Sequence, residues 1–496
     1  MLLSNKIPFN NSYAKLPERF YVKQAPLPVK DPSMIRLNRA LAEELGLDAD
    51  VLASPAGLAM LAGNVLPDGA EPLAMAYAGH QFGHFVPQLG DGRAILLGEV
   101  VLAGGERRDI QLKGAGRTAF SRGGDGRAWL GPVIREYILS EAMHALKVPT
   151  TRALAAVRTG ETVIREAPRP GGIVTRVASS HIRVGTFQYF AAREDSDALR
   201  LLTDYAIERH YPEAKQATNR CRAFLQAVSH RQARLVAKWL QVGFIHGVMN
   251  TDNMAISGET IDYGPCAFMD EYDPQKTFSS IDRHGRYAYD QQASIAQWNL
   301  TRLAETLLPQ LDSNEDTAIE IAKSVLGDFT TVFQQEWENA MRGKFGLVTE
   351  EETDVDLIQK FLSLLERRKA DWTQSFRALC DLAGDATSLG VTLLDNSLGE
   401  DPEWQPWQQR WLARLDRQPK SRADAARIMK SCNPAIIPRN HHVERAIQAA
   451  LEGEGSEYMD EMIETLSHPY DDQPADSPWI KPPRPGEKVL QTFCGT

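Results

Sequence analysis

Apolar positions along the chain follow two different periods. Between about residues 85 and 185 they come in short runs of strand length, broken by turn formers. Ala94 to Leu102 is an apolar strand run, Ala103-Gly104-Gly105-Glu106 a hairpin turn, and Arg108 to Lys113 alternates as a second strand. Two more strand pairs are predicted. Arg152 to Arg158 turns at Thr159-Gly160-Glu161 into Thr162 to Arg165, and Arg169-Pro170-Gly171-Gly172 turns into Ile173 to Ser179. One helix interrupts this region. Pro132 opens it, and Ile134, Ile138, Ala142 and Leu146 line its apolar side. From Asp195 onward the period becomes helical. Helices are predicted for Asp197 to His210, Ala217 to Gly243, about 290–308, 313–343 and 350–380, with shorter ones to about 466. Residues 1–70 read as an irregular arm with two short helices. Asp31-Pro32 opens the first, with Met34, Leu37, Leu41 and Leu45 as its stripe. The last thirty or so residues are proline-rich and extended, draped over the body or mobile.

The stretch Phe244 to Gly264, FIHGVMNTDNMAISGETIDYG, packs His246, Asp252, Asn253 and Asp262 into one short run. Its apolar pieces and turn formers predict a loop followed by a hairpin of two short strands. An amide oxygen beside a carboxylate, Asn253 with Asp262, is a hard-oxygen pair suited to Mg2+ on a nucleotide's phosphates. Asp252 is placed to act as a general base. Taken singly, Asn and Asp are also ordinary turn residues.

Composition narrows the class. The 496 residues exceed one ordinary core, so two or three packed units are expected. The boundaries drawn are 1–70 for the arm, 71–190 for a β-rich lobe, 191–430 for a helical lobe and 431–496 for a helical extension and tail. With 43% hydrophobic and 24% charged residues the chain reads as soluble and globular. Its net charge of −10 argues against a general nucleic-acid binder. No apolar run is long enough for a membrane span, and no signal core stands at the N-terminus. The five cysteines, Cys221, Cys266, Cys380, Cys432 and Cys494, form no Cys-x-x-Cys pair. That argues against zinc and disulfide frameworks and favours a reducing, cytoplasmic setting.

Further candidates lie in the β-rich part. Gly90-Asp91-Gly92-Arg93 precedes the first strand, and glycines there let backbone amides approach an anion; an ordinary turn is the competing reading. Lys113 ends its strand, aimed at whatever that turn holds. Glu136 lies early in the following helix and suggests an ion pair with Lys113, against the alternative of a surface Glu. Arg176 and Arg183 flank Ser179-Ser180-His181 and suit bidentate phosphate contact. His80 and His84 lack the Glu of a zincin pattern and read as structural. The tryptophans Trp298, Trp337, Trp372, Trp404, Trp407 and Trp411 read as packing residues.

A β-rich lobe with a glycine turn, a strand lysine and a helix glutamate, followed by a helical lobe with a base–metal loop, is the part list of the protein-kinase fold. HGVMNTDN superposes on a His-Arg-Asp-x-x-x-x-Asn catalytic loop, with His246 on the His and Asn253 on the Asn. Asp262-Tyr263-Gly264 stands where Asp-Phe-Gly is expected. The catalytic Asp, however, falls on Val248, which cannot accept a proton. Either the chain is a dead kinase or another residue is the base, Asp252 being the nearest.

The chain resembles the selenoprotein O or YdiU family of kinase-like protein adenylyltransferases. The resemblance runs over nearly its whole length. AYAGHQFGHFVPQLGDGRAILLGE, QLKGAGRTAFSRGGDGRA, HGVMNTDN with TIDYGP, and a cysteine near the C-terminus carry it. It implies an α+β, two-lobed kinase-like fold with a C-terminal extension. It implies ATP bound in reverse, so that AMP passes to a protein Ser, Thr or Tyr hydroxyl and pyrophosphate leaves. By the same resemblance Asp252 is the proton acceptor, and Asn253 and Asp262 hold Mg2+, with Mn2+ as the alternative. Gly90, Gly92, Arg93, Lys113, Asp125, Gly126, Arg176, Arg183 and Asp262 meet the nucleotide, and Glu136 pairs with Lys113. Cys494 is the candidate for redox tuning, through a disulfide or a glutathione adduct. The expected partners are ATP and proteins modified on hydroxyls, with no nucleic acid and no membrane. Three other readings stay open: UMP transfer from UTP, a phosphotransferase using Asp252, and a nucleotide-binding scaffold without turnover.

Overall fold

The computed structural model describes residues 7–384, 389–453 and 456–493. A β-sheet occupies the N-terminal region and helices the C-terminal region, as the change of period predicts. The strands are β1 Tyr21–Lys23, β2 Ser33–Leu37, β3 Leu73–Met75, β4 Gly79–Gln81, β5 His84–Val86, β6 Ala94–Val101, β7 Arg107–Lys113, β8 Ala128–Trp129, β9 Arg152–Ile164, β10 Pro168–Ala178, β11 Phe244–Ile245 and β12 Ala267–Phe268. The main sheet runs β1-β3-β6-β7-β10-β9-β2, with β8 paired to β10, and its pairings are antiparallel. β4 and β5 form a separate hairpin.

Both faces of the sheet are covered, which explains the nearly continuous apolar runs of β6 and β10. Ile95, Leu97, Ile110, Leu112, Val157 and Ile173 pack under Leu41, Leu45, Leu52 and Leu61 of the N-terminal segment. On the other face Leu96, Ala156 and Val174 pack with Leu130, Ile134 and Ile138 of the helix Leu130–Ala145. Successive residues of β6 thus go to opposite cores, the strand period of two.

Three local expectations are corrected. Asp31-Pro32 does not open a helix: Ser33–Leu37 is β2, paired along β9, and the helix begins after Asn38, whose side chain caps Leu41 N–H. Pairing with a long buried strand outweighs a local capping signal there. The two strand pairs between 152 and 179 are one long hairpin, β9 with β10. The register shift at Pro170/Gly172, opposite Arg158 and Thr162, absorbs Thr159-Gly160-Glu161 and Gly171, residues read as turns, and a second shift falls at Thr175/Arg176. Finally, no hairpin forms within 244–264. Phe244–Ile245 pairs instead with Ala267–Phe268, and residues Thr251–Asn253 are a short 3-10 turn. The segment after it is held by single bridges, Ala255 to Arg183 and Thr260 to Thr150. The apolar pieces Met254 and Ile256 enter the main core rather than pairing with each other.

In the C-terminal region the helices Arg220–Val242 and Gln292–Leu311 pack on the loop 246–266, with Gln232 donating to Ala255 O and Asn299 to Met249 O, and Glu315–Lys344 packs on both helices. A second cluster gathers Trp372, Trp404, Trp407 and Trp411. Lys344 is buried inside it, 1% exposed, with Nζ 4.0 Å from the Phe376 ring centroid and 5.2 Å from that of Trp372. Burial pulls its pKa from 10.5 down to about 7. Between these two values the unfolded chain binds one more proton than the folded chain, so this residue makes stability rise with pH. Its penalty is fully present below pH 7 and fades toward pH 10.5. Lys344→Met is therefore expected to raise the unfolding free energy at pH 6, by on the order of 4 kcal/mol, and by little near pH 10. Urea unfolding at the two pH values checks this; an equal gain at both would show that the ammonium is not what the site penalises.

Candidate functional site

The sheet register brings the first cations together. Lys113, the last residue of β7, lies opposite Val174 of β10, and Arg176 is two residues further on, on the same face. That face is covered by the helix carrying Glu136. Lys113 Nζ lies 2.7 Å from Glu136 Oε2, and Arg176 Nε donates to Glu136 Oε1. Glu136 is buried, so it is not a surface residue of an amphipathic helix. Pro132 sits in the first turn of that helix, which begins at Leu130.

The loop 246–266 supplies the opposite side. β11 and β12 close its base. His246 Nε2 donates to Ile261 O at 2.9 Å and its Nδ1 accepts from Val248 N–H at 3.4 Å, which ties the two arms together. Burial lowers the pKa of His246, so the ring acts as a neutral staple. Asp262 follows at φ +65°, a left-handed conformation that Asp tolerates better than most side chains. Its carboxylate meets three cations. Lys113 Nζ is 3.1 Å from Oδ1, Arg183 Nη1 is 2.7 Å from Oδ2, and Arg176 Nη2 also donates to Oδ1. Burial pushes this carboxyl up, but the charges of Arg176, Lys113 and Arg183 outweigh it and hold it well below the usual carboxylate range.

Arg183 is the second anchor. It precedes the helix Val184–Ala191, stacks on Tyr77 at 4.6 Å, donates to the backbone oxygen of Asp252 at 2.6 Å and stands 4.0 Å from Asp91. Asp252 itself is buried. Gln81 Nε2 donates to its Oδ2 at 3.3 Å, while Oδ1 has no hydrogen-bond partner among the described residues. Burial raises its pKa to about 6, against the pull of Arg183. Gly79 makes room for it, since a β-carbon there would lie 2.6 Å from Oδ1. Asn253 Nδ2 donates to Val248 O at 3.0 Å, which orients the amide.

These groups border one cavity of about 750 Å³. Gly90, Gly92, Arg93, Lys113, Asp125, Gly126, Arg176, Arg183, Asp252, Asn253 and Asp262 all line it, so every one of these predicted positions comes together. Glu136 stands one step behind, through Lys113 and Arg176. Gly90 adopts φ +70° and a β-carbon would lie 2.3 Å from the Phe120 ring, so the turn is specific to glycine. Asp125 is at the rim, held by Arg165 at 2.8 and 3.0 Å. Val248 also lines the cavity, where a kinase loop would place its carboxylate. Cys494 lies outside the described residues. His80 Nδ1 accepts from Gln188 Nε2 at 2.7 Å.

Seven basic side chains and four acidic ones line the cavity, an excess that suits a polyanion. Sequence reasoning missed Arg122, Arg127 and Arg165 of this set, along with Asp91, Tyr77 and Gln81. Asp91 had a signal, because it sits inside the glycine turn already singled out; it accepts from Met75 N–H and Gln111. Tyr77 and Gln81 stand in the motif AYAGHQFGH, but nothing in their spacing points to Arg183 or Asp252. Among the described residues no three His, Cys, Asp or Glu side chains gather as a metal site. The oxygens of Asn253 and Asp262 on one wall fit a metal that takes its other ligands from phosphate and water.

A family model described as Protein adenylyltransferase SelO matches residues 4–467. A "Protein nucleotidyltransferase YdiU" of Rhizobium meliloti (strain 1021) is 59% identical over 488 residues, which cover 98% of this chain and 99% of the relative. Those of Rhodopseudomonas palustris (strain BisB18) and Agrobacterium fabrum (strain C58 / ATCC 33970) are 56% and 57% identical, each match covering at least 98% of this chain and 99% of the relative. A matching family model and full-length relatives at this identity lead to one conclusion: the chain belongs to the SelO family, whose YdiU members are named protein nucleotidyltransferases.

Proposed function

We propose that this protein transfers AMP from ATP to Ser, Thr or Tyr hydroxyls of proteins and releases pyrophosphate. The observation that carries this reading is Asp252. It is a buried carboxylate at the cavity with one oxygen unpartnered, and it stands four residues past Val248, the position a kinase would use. A proton acceptor displaced along the loop serves an acceptor hydroxyl approaching a different phosphorus. In a reversed nucleotide that phosphorus is the α.

The basic side chains have a role to match. Lys113, Arg176, Arg183 and Arg93 bind the β- and γ-phosphates, which leave together. Gly90, Gly92 and Gly126 let backbone approach the triphosphate, and Asp125 orders the rim. Asn253 and Asp262 hold Mg2+, or Mn2+, which when bound neutralises charge on the departing pyrophosphate. The cations now engaged by Asp262 exchange that partner for phosphate oxygens. Asp252 accepts the proton of the incoming hydroxyl at its free oxygen as the new O–P bond forms. Cys494 belongs to the same reading as a redox control in a reducing cytoplasm. Oxidised and reduced wild type are expected to differ in rate, and Cys494→Ser to abolish that difference; equal rates throughout would remove the thiol from the account.

Two experiments test the chemistry. ATP labelled on the α-phosphate is expected to label protein, and ATP labelled on the γ-phosphate is not. Asp252→Ala should lower kcat by about 10²–10⁴-fold with nucleotide affinity nearly unchanged. Label from the γ-position would instead mark a phosphotransferase with a relocated base. The second experiment concerns Glu136. Lys113→Ala should weaken nucleotide binding and abolish transfer. Glu136→Gln keeps the lysine but loses its orientation, so kcat should fall by about 10²-fold and affinity by much less. An unchanged kcat in Glu136→Gln would make the pair purely structural.

A further inference from the structure

The C-terminal segment docks beside the mouth of the cavity. Thr492 is 2% exposed and its hydroxyl donates to Pro265 O at 2.5 Å. Its N–H donates to Phe278 O at 2.7 Å, and its carbonyl accepts from Ser280 N–H at 3.1 Å. Lys488 pairs with Glu271 at 2.7 Å. Pro265 and Ile281, at the two ends of this loop, both line the cavity. The tail is therefore fixed to the segment that follows Asp262-Tyr263-Gly264.

What the fixed segment presents is apolar. Leu490 is 68% exposed and Phe493 61%, and Ile281 on the paired loop is 56% exposed. Among the described residues only one other large hydrophobic side chain, Ile164 at 65%, is comparably exposed. The Ser279–Thr492 bridge is parallel, so Ile281 and Phe493 both lie just past it in the same direction. Single exposed apolar residues need no explanation, but here three of them lie within two residues of one hydrogen-bonded bridge, Ser279 to Thr492. The backbone beneath them is hydrogen-bonded, so covering them requires little further ordering.

We propose that Ile281, Leu490 and Phe493 form a docking platform for the protein acceptor, and that it selects a hydroxyl flanked by apolar side chains. This rests on the reading of the acceptor as a protein hydroxyl. The occupant follows from position. A polypeptide that brings a hydroxyl to Asp252 must cross the rim of this cavity, and Ile281 belongs both to that rim and to the platform. A small-molecule acceptor would gain nothing from Leu490 and Phe493 outside the cavity.

The test uses two synthetic peptides with one central serine each, flanked by Leu and Phe in the first and by Gly and Asn in the second, with α-labelled ATP. The wild type is expected to use the apolar peptide with kcat/KM about tenfold higher. Leu490→Ser with Phe493→Ser, both at exposed positions, should reduce the preference to within about twofold. Labelling of the Gly/Asn peptide and nucleotide affinity should stay unchanged. Thr492→Val, which keeps the shape but loses the hydroxyl bond to Pro265, should also weaken the preference, and Thr492→Ser should restore it. Equal use of both peptides by the wild type overturns the platform, as does a preference that survives the double variant. Sedimentation gives another route: a wild-type dimer that the double variant disperses, with preference intact, would assign the face to a second copy. If the wild type labels neither peptide nor casein, the transfer reading itself fails, an outcome distinct from labelling without preference.

Discussion

The Asp262 carboxylate is the point on which the two regions of the chain depend. Lys113 and Arg176 reach it from the sheet, and Arg183 reaches it from the connection to the helical region. Glu136 also accepts from Nζ of the first and Nε of the second. Three cations thus share two carboxylates in a buried place, with Asp91 a weaker third at 4.0 Å from Arg183. Buried charges hold together only when each is paired, and removing one partner leaves the rest uncompensated. A cluster with this balance is coherent without ligand, and phosphate oxygens can replace Asp262 as partners without exposing a bare charge. The same contacts that join the regions are therefore those a triphosphate would exchange.

The sheet explains why the cations are so placed. Lys113 and Arg176 share a face because β7 and β10 pair in a register that sets Val174 opposite Lys113. A slip by one residue would send Arg176 to the other face, among Ile173 and Val177 and the N-terminal helices. The apolar alternation that keeps those residues inside thus also keeps the arginine in the site. On the helical side the positioning is done by hydrogen bonds rather than by regular structure. His246 joins the arms of the loop, Arg183 grips the Asp252 backbone, and Asn250 Oδ1 accepts from Phe82 N–H and from Tyr287. Such a loop is held in place by side-chain hydrogen bonds at His246, Asn250 and Asp252 rather than by strand pairing.

That difference accounts for what was legible in the sequence. The sheet and the long helices follow from period, and β6, β7 and the helices 220–242 and 315–344 lie within a few residues of where periodicity puts them. Lys113, Glu136, Arg176, Arg183 and the acids of the loop were readable because their residue types in that order match a known part list. The hairpin expected at 244–264 was not formed, since two-residue strands leave pairing to tertiary contacts, which a local pattern does not contain. β2 was hidden for a similar reason: its partner β9 lies more than a hundred residues away. Arg127 lies two residues from Asp125 in the turn before β8, whereas Arg165 enters from the hairpin end of β9, a place that only the folded sheet brings near Asp125.

The chemistry of the loop turns on the distance between Val248 and Asp252 along one short path. Both line the cavity, and the backbone between them passes through Asn250 and Thr251, whose side chains are held by Phe82 N–H and His80 N–H of the β4–β5 hairpin. That hairpin also supplies Gln81 to Asp252 Oδ2 and, at Gly79, the space its other oxygen occupies. Asp252 is thus fixed by a hairpin that precedes the glycine turn in sequence, not by the loop alone. A carboxylate held on one oxygen and left free on the other is oriented, desolvated and able to accept one proton. Desolvating a carboxylate without completing its partners is unfavourable, and that burial raises the Asp252 pKa to about 6. The oxygen left unpartnered among the described residues is a local cost of folding, and Asp252 lies on the cavity wall that Val248 and Asn253 also line.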